Sequence, residues 1–279
     1  MRIKCWGSRG SIPVSGREYI KYGGDTTCLE IETRNGEVIV VDAGTGIRRL
    51  GIDLLERQQL TYHFIFTHAH WDHVMGFPFF KPIFNPQATF IMHRCPFHSK
   101  FVETILSKVM SPPNFPVRFR DVQARIDYLQ ACPVEFEIDS IRITPIALSH
   151  PNSGSGYKFT EGRKTFVFIT DNELGYTHKG GLPPEAYTEF AADADLFIHD
   201  AEYTPEEYRS TIEWGHSTYP EVVDMACRAK VKRLGLFHLN QERTDRQVDV
   251  IVDHCRDLIA AQGRSIECTA VGTDMVFEL

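Results

Sequence analysis

Three histidines and one aspartate fall within six residues of this chain. They lie in the stretch THAHWDH, residues 67–73, directly after the apolar, β-type run at 62–66. Side chains alternate along an extended chain, so His68 and His70 are expected to share one face. Imidazole and carboxylate groups bind metals, and a catalytic zinc ion needs only three protein ligands. Four ligands in two alternating sets predict two adjacent metal sites; the alternative is a polar loop with surface histidines and a capping aspartate.

The same residue types recur where later apolar runs end. These runs are predicted strands, and ligands in α/β proteins gather at the carboxyl ends of strands. The repetition therefore predicts one shared site at an edge of the fold. The residues at these ends are His150, Asp171, His199, Asp200 and His238.

The motif at 68–73 resembles the HxHxDH signature of the metallo-β-lactamase superfamily. The resemblance implies an α/β fold, the four-layer αββα sandwich, with two divalent metal ions at one edge. Zinc suits the histidines, and the mixed oxygen set also admits manganese or iron. The ligands implied by the resemblance are His68, His70 and His150 for one ion, Asp72, His73 and His238 for the other, and Asp171 as the bridge.

Three positions bear on which branch of the superfamily the chain resembles. Asp42, at the end of the run Glu37–Val41, matches the superfamily's first motif and is expected to support a ligand rather than to be one. The oxygen-reducing di-iron branch carries a glutamate in place of His70. True β-lactamases lack the bridging carboxylate that Asp171 would supply. The branches of the superfamily that the chain can still resemble are the hydrolases of thioesters and of phosphodiesters.

Two short segments resemble ribonuclease Z and its phosphodiesterase relatives. They are HDAEY, residues 199–203, and GHST, residues 215–218. In that group the histidine donates a proton or holds a phosphoryl oxygen, and an acid orients it. By position these are His216 and Asp200, although Glu202 could replace Asp200. The alternative is that His216 merely precedes a helix and packs against Trp214.

The sequence therefore predicts a binuclear metal-dependent phosphodiesterase in which His216, Asp200 and Asp171 are catalytic. The expected substrate is a small phosphodiester, such as a cyclic nucleotide or cyclic phosphate. A net charge of −7 argues against binding to long nucleic acid, and no long arm for gripping transfer RNA is recognisable. The alternatives are a glyoxalase II-like thioesterase or lactonase, and a non-catalytic metal-dependent scaffold that senses a nucleotide.

Several local signals predict the elements that position these residues. Asn35-Gly36 between two apolar runs predicts a hairpin. Thr218 with Glu221, and Thr244 with Gln247, fit capping boxes that open helices, and Gly263 is the expected end of the second. A helix that becomes irregular at Pro78 is expected after His73. The glycine-rich loop at 7–13 is either an ordinary turn or a phosphate-binding nest.

The length of 279 residues allows one large domain or two small ones, and because no internal repeat is evident, one domain over residues 1–279 is predicted. Its least regular part, 81–130, is expected to be a lid or a dimerisation insertion, so a homodimer is considered. Its histidines, His93 and His98, are expected to pack rather than to ligate. The 7 scattered cysteines form no CxxC and are predicted to be buried, reduced thiols of a cytoplasmic protein. Neither a signal peptide nor a membrane span is predicted.

Overall fold

Two mixed β-sheets pack face to face in the computed structural model, which describes residues 1–93, 99–129 and 134–279, apart from the side chains of 99–102. The strands are β1 (Arg2–Gly7), β2 (Cys28–Glu32), β3 (Val38–Val41), β4 (Thr61–Ile65), β5 (Thr89–Met92), β6 (Arg125–Tyr128), β7 (Phe136–Ile138), β8 (Ile141–Ala147), β9 (Ser155–Glu161), β10 (Lys164–Ile169), β11 (Leu196–Asp200), β12 (Arg233–Phe237), β13 (Glu267–Ala270) and β14 (Val276–Glu278). The α-helices are α1 (Ile47–Glu56), α2 (Trp71–Val74), α3 (Ser99–Val109), α4 (Pro184–Phe190), α5 (Pro205–Tyr208), α6 (Tyr219–Ala229) and α7 (Asp245–Ala261). Short 3₁₀ turns lie at Arg17–Tyr19, Phe77–Phe79, Lys81–Phe84 and Phe119–Asp121.

Strand order brings the ends of the central strands to one edge. The first sheet has the order β14-β1-β2-β3-β4-β5-β6, and the second has the order β13-β12-β11-β10-β9-β8-β7. Strands β3 to β6 pair in parallel, as do β10 to β13. Because parallel strands end at the same edge of a sheet, the residues that follow β3, β4, β10, β11 and β12 can converge.

Successive side chains of each strand point to opposite faces of its sheet, and this explains the four layers of the fold. Val38 and Val40 of β3 pack in the core beneath α1, whereas Ile39 lies in the core between the sheets. In the second sheet, Phe197 of β11 packs with the core beneath α6 and α7, and Ile198 points into the inter-sheet core. Each sheet is thus buried on both faces, and the predicted αββα sandwich is confirmed.

The local sequence signals predict the hairpin and the two capping boxes correctly, but not the length of the helix near His73. The hairpin at Asn35-Gly36 joins β2 to β3, and Gly36 has the positive φ of 91° that such a turn requires. Capping boxes open α6 at Thr218 and α7 at Thr244. The helix expected after His73 ends already at Val74 and gives way to two 3₁₀ turns, since prolines interrupt the apolar run.

The segment 81–130 is more regular than its sequence indicates. β5 and β6 extend the first sheet, and Leu106 and Met110, in and just after α3, join the core on the outer face of that sheet. Five cysteines are buried free thiols, as predicted, while Cys95 and Cys132 lie outside the described residues. In the ranges that the structure describes, no helix is long and apolar enough to cross a membrane.

Candidate metal centre and acid–base pair

Strand ends from both sheets deliver the predicted residues to one place. In the first sheet, Asp42 follows β3, and residues 68–73 follow β4 and enter α2. In the second, His150 follows β8, Asp171 follows β10 and His238 follows β12. The seven residues predicted as ligands form two overlapping groups, in each of which the potential ligand atoms lie within 4.8 Å of one another. The groups are His68, His70, His150 and Asp171, and Asp72, His73, Asp171 and His238.

Asp171 is the residue common to both groups. Its Oδ2 lies 3.4 Å from His68 Nε2 and 3.3 Å from His238 Nε2. Its Oδ1 lies 3.3 Å from His73 Nε2. Burial raises the pKa of this carboxyl group, but the surrounding histidines outweigh it and hold the pKa well below the usual range. The carboxylate therefore faces both groups in its ionised form.

Two of the clustered histidines have a buried ring nitrogen that lacks a hydrogen-bond partner and could bind a metal ion. His68 Nε2 and His73 Nε2 are buried without a hydrogen-bond partner, whereas buried polar atoms normally have one. Burial lowers the pKa of His150 to about 3 and that of His68 well below its ordinary value. Neutral imidazole is the form that binds metals. Unpartnered nitrogens around a shared carboxylate are therefore suited to two divalent cations.

The second ring nitrogens of His73 and His150 are each held by a fixed partner. His73 Nδ1 lies 2.8 Å from Asp42 Oδ2, and the same carboxylate also accepts hydrogen bonds from the backbone amide and hydroxyl of Thr67. His150 Nδ1 lies 2.9 Å from the carbonyl oxygen of Gly215. Asp42 thus stands where a supporting residue is expected, and such partners fix both tautomer and ring orientation.

Glu202 has a role that the sequence does not reveal. Its Oε2 lies 2.8 Å from His238 Nδ1 but 3.5 Å from His216 Nδ1. His216 Nδ1 instead lies 2.8 Å from Asp200 Oδ2. Asp200, rather than Glu202, therefore orients His216, and Glu202 holds His238. The two carboxylates alternate along one strand end, so only the folded geometry assigns each to its histidine.

His216 lies beside both groups and is nearly buried, with 8% of its surface exposed. Its ring stacks on that of His238 at 4.5 Å between centroids and lies 5.4 Å from that of His150. Burial lowers its pKa, but Glu202 and Asp200 outweigh burial and raise the pKa to about 9. Trp214 is 62% exposed, so its indole is not the packing partner that fixes His216.

Three residues of the centre adopt the left-handed backbone conformation. The φ angles are 62° at Asp42, 54° at Asp171 and 55° at His238, each at or just after the end of a strand. Non-glycine residues adopt this conformation at an energetic cost, and such strain concentrates at functional sites.

The remaining histidines of the segment 81–130 behave as expected where they are described. His93 is buried after β5, its Nε2 lies 2.8 Å from His63 Nδ1, and its ring stacks on Phe136. His98 lies outside the described residues. His93 therefore packs in the fold and does not join the centre.

Fold and site together define the class of protein: an αββα sandwich with histidine and aspartate clusters that could hold divalent metals. Residues 37–239 match the family model described as "Beta-lactamase superfamily domain", and the chain belongs to that family. Ribonuclease Z of Haloarcula marismortui is 25% identical over an alignment 308 positions long, which covers 92% of this chain and 91% of that protein. The predicted resemblance is thus confirmed.

Solved structures show the same fold across the whole chain. The metallo-beta-lactamase fold protein YhfI from Bacillus subtilis superposes with a TM-score of 0.71 at 16% identity, covering 100% of this chain and 99% of that one. A diphosphatase from the PhnP family gives 0.69 at 16% identity, covering 100% and 97%. The chain is a metal-dependent hydrolase, and this excludes the alternative of a non-catalytic sensing scaffold.

Proposed function

We propose that this hydrolase is a binuclear phosphodiesterase that acts on a small phosphodiester, such as a cyclic nucleotide or cyclic phosphate. The observation that carries the proposal is the His216–Asp200 pair beside two clusters that share Asp171. Relatives named ribonuclease Z and a PhnP-family diphosphatase support phosphoryl chemistry. Zinc is the proposed metal, held by His68, His70 and His150 on one side, by Asp72, His73 and His238 on the other, and by Asp171 between them.

Two divalent ions, when bound, supply charge neutralisation for the phosphate oxygens and activation of water as the nucleophile. The carboxylate of Asp171 faces both clusters and is placed to accept the proton of that water. Asp200 holds His216 through Nδ1, which leaves Nε2 as the proton donor. His216 then protonates the leaving alkoxide, whose charge develops only in the transition state.

A substrate panel tests this proposal against its alternatives. The purified, metal-loaded enzyme is given bis-p-nitrophenyl phosphate, a cyclic nucleotide, a precursor transfer RNA, a thioester, a lactone and a β-lactam. We expect turnover of the diesters and none of the β-lactam. A thioester or lactone cleaved as fast as the best diester would favour the glyoxalase II-like alternative. A precursor transfer RNA cleaved faster than the cyclic nucleotide would overturn the choice of a small substrate.

The arrangement of the whole chain is part of the same proposal. We propose one domain over residues 1–279, with 81–130 acting as a lid or a contact of a homodimer in the cytoplasm. Light scattering coupled to size-exclusion chromatography tests the dimer: a monomer at micromolar concentration would rule out the dimer contact and leave the lid as the role of that segment.

A further inference from the structure

The loop Ser8–Ser11 follows β1 and pairs with the backbone beyond β12. The amide of Gly10 donates to Leu239 O at 3.0 Å, and the amide of Leu239 donates to Ser8 O at 2.9 Å. The amide of Arg9 donates to Asp25 O at 3.0 Å. These amides bind within the protein, so the loop is not the phosphate nest that its composition allows. It also lies outside the residues that match the family model.

The loop contacts two residues of the second cluster, Asp72 and His238. The amide of Ser11 donates to Asp72 Oδ2 at 2.9 Å. A Cβ added to Gly10 would lie 2.3 Å from His238 Nδ1 and 2.4 Å from its Cε1, so the imidazole rests directly on the glycine. Asp72 and His238 are the two residues whose Oδ2 and Nε2 atoms meet at 3.0 Å on the second cluster.

Arg9 fixes this loop to the segment after His238. Its side chain is fully buried, and its guanidinium donates to the carbonyl oxygens of Gly23 at 2.9 Å, Asn240 at 3.1 Å and Arg243 at 2.9 Å. A buried cation needs its donors satisfied, and a planar guanidinium satisfies several carbonyls in fixed directions. Arg9 therefore sets where the 239–243 segment stands relative to the loop.

We propose that the loop Ser8–Ser11, held by Arg9, is a positioning element for the Asp72/His238 half of the metal centre. It orients one carboxylate through an amide and one imidazole through close contact. The loop thereby sets the affinity for the ion on that side and leaves the His68/His70/His150 side unchanged. This inference requires two bound ions but not any particular substrate.

Gly10→Ala is the direct test, since its φ lies outside the left-handed region and alanine can adopt it. Metal-free protein is titrated with Co²⁺ against a competing chelator, and the visible absorption reports each ion bound. We expect one of the two ions to bind about 10–100-fold more weakly, the usual effect of losing an outer partner of a ligand. The control is Gly154→Ala, where the added Cβ meets Leu148 at 3.1 Å and His68 Cβ at 3.7 Å, and should match the parent.

Double variants locate the weakened ion. Gly10→Ala should add nothing to the loss caused by His238→Ala, because both act on one ligand, but should add its full effect to that of His150→Ala. Equal weakening of both ions, or parental affinity for both, would overturn the proposal. A parent that binds no Co²⁺ would instead refute the metal centre itself.

Arg9→Lys keeps the positive charge but loses the planar guanidinium that donates to three carbonyl oxygens. It serves as the second test if Gly10→Ala does not fold. We expect the same selective weakening of one ion. The melting temperature of the chelated protein is recorded in parallel. A lower melting temperature with an unchanged ratio of the two affinities would show that Arg9 acts only on stability and would also overturn the proposal.

Discussion

At the scale of single residues, orientation of the imidazoles distinguishes this centre from a chance cluster of histidines. His73, His150 and His238 each present Nε2 inward while Nδ1 is held by Asp42, the Gly215 carbonyl and Glu202 respectively. The atoms proposed as ligands are thus held in one direction by the protein itself. We therefore expect the metal affinity to depend on residues that touch no metal.

Asp42 and Asp171 allow that dependence to be measured with matched substitutions. Both have positive φ, which asparagine tolerates, so Asp→Asn changes the charge and preserves the backbone. We expect Asp42→Asn to weaken metal binding by about 10–100-fold and Asp171→Asn to reduce the metal content well below two ions. Elemental analysis after dialysis decides, and complete loss of one ion in Asp42→Asn would make Asp42 a ligand.

The acid role of His216 predicts a dependence on the leaving group. His216→Ala should keep both ions and the fold and lower kcat for a cyclic nucleotide by about 10²–10⁴-fold, the usual size of general acid catalysis. p-Nitrophenolate hardly needs a proton, so the loss for its diester should be much smaller. The decisive quantity is the ratio of the two losses in steady-state kinetics.

Asp200→Asn is the companion variant, because the Oδ2 atom of Asp200 holds His216 through Nδ1. It should reproduce the same ratio at a smaller amplitude. Equal losses for both substrates, with metals intact, would remove the acid role and leave His216 as a packing residue.

At the scale of elements, parallel strands explain why much of the centre could be predicted from the sequence. A strand that is buried on both faces has a continuous apolar sequence, so the residue at which it ends can be located in the sequence. The residues proposed as ligands follow directly after such strand ends. For this reason Asp171 after β10 and His238 after β12 can be predicted as site residues from the sequence alone.

Other features depend on contacts between distant parts of the chain. Gly215 and His150 are 65 residues apart, and no local pattern relates them. Glu202 and Asp200 are equivalent by spacing, and only the fold separates their roles. Strand β9, with the sequence SGYKFTE, and the short β13 and β14 have no clear apolar run from which a strand can be predicted.

Asp195 illustrates how the strands of the second sheet are held in register. Its carboxylate, 7% exposed, accepts from the amide of Thr165 in β10 at 2.9 Å and from Lys232 Nζ, just before β12, at 2.7 Å. Burial raises its pKa, but these donors outweigh burial and lower the pKa below its ordinary value. A lowered pKa stabilises the fold above the unfolded-state pKa, near 3.9, and this stability is lost as the pH falls through the folded-state value.

Asp195→Asn should therefore cost about 1–2 kcal/mol of unfolding free energy at pH 7. The difference from the parent should begin to shrink below the unfolded-state pKa, near 3.9, and should continue to shrink as the pH falls through the lower pKa of the folded state. Urea unfolding of metal-free protein at pH 7 and pH 3 measures both values. The exposed Asp193 gives the control, Asp193→Asn, which should stay close to the parent at both pH values; a gap that does not narrow in acid would contradict the ionic role of Asp195.

At the scale of the whole molecule, each sheet carries an incomplete centre. The first supplies His68, His70, Asp72 and His73, and the second supplies His150, Asp171 and His238. Ions held by both sets would join the two halves of the sandwich, and ligands that bind only the folded state stabilise it.

Removal of the metals should therefore lower the melting temperature. One ion at about a thousand times its Kd contributes about 4 kcal/mol, so the loss of even one ion corresponds to a fall on the order of 10 °C for a chain of this size. Calorimetry of chelated and reconstituted protein gives the difference, and return of the metal should restore it. An unchanged melting temperature after verified removal would mean that the halves do not depend on the ions.

The left-handed backbone at His238 exposes a conflict between two selective pressures. Outside glycine, asparagine and aspartate this conformation costs roughly 1–2 kcal/mol per residue, and φ there is 55°. Selection for an unstrained backbone would favour glycine at this position, whereas selection for the buried site retains an imidazole that lies 2.8 Å from Glu202 and 3.0 Å from Asp72. Removing one partner of such a buried group costs about 3–5 kcal/mol, so a variant library screened only for heat resistance in chelator would be depleted of His238→Gly despite its easier backbone.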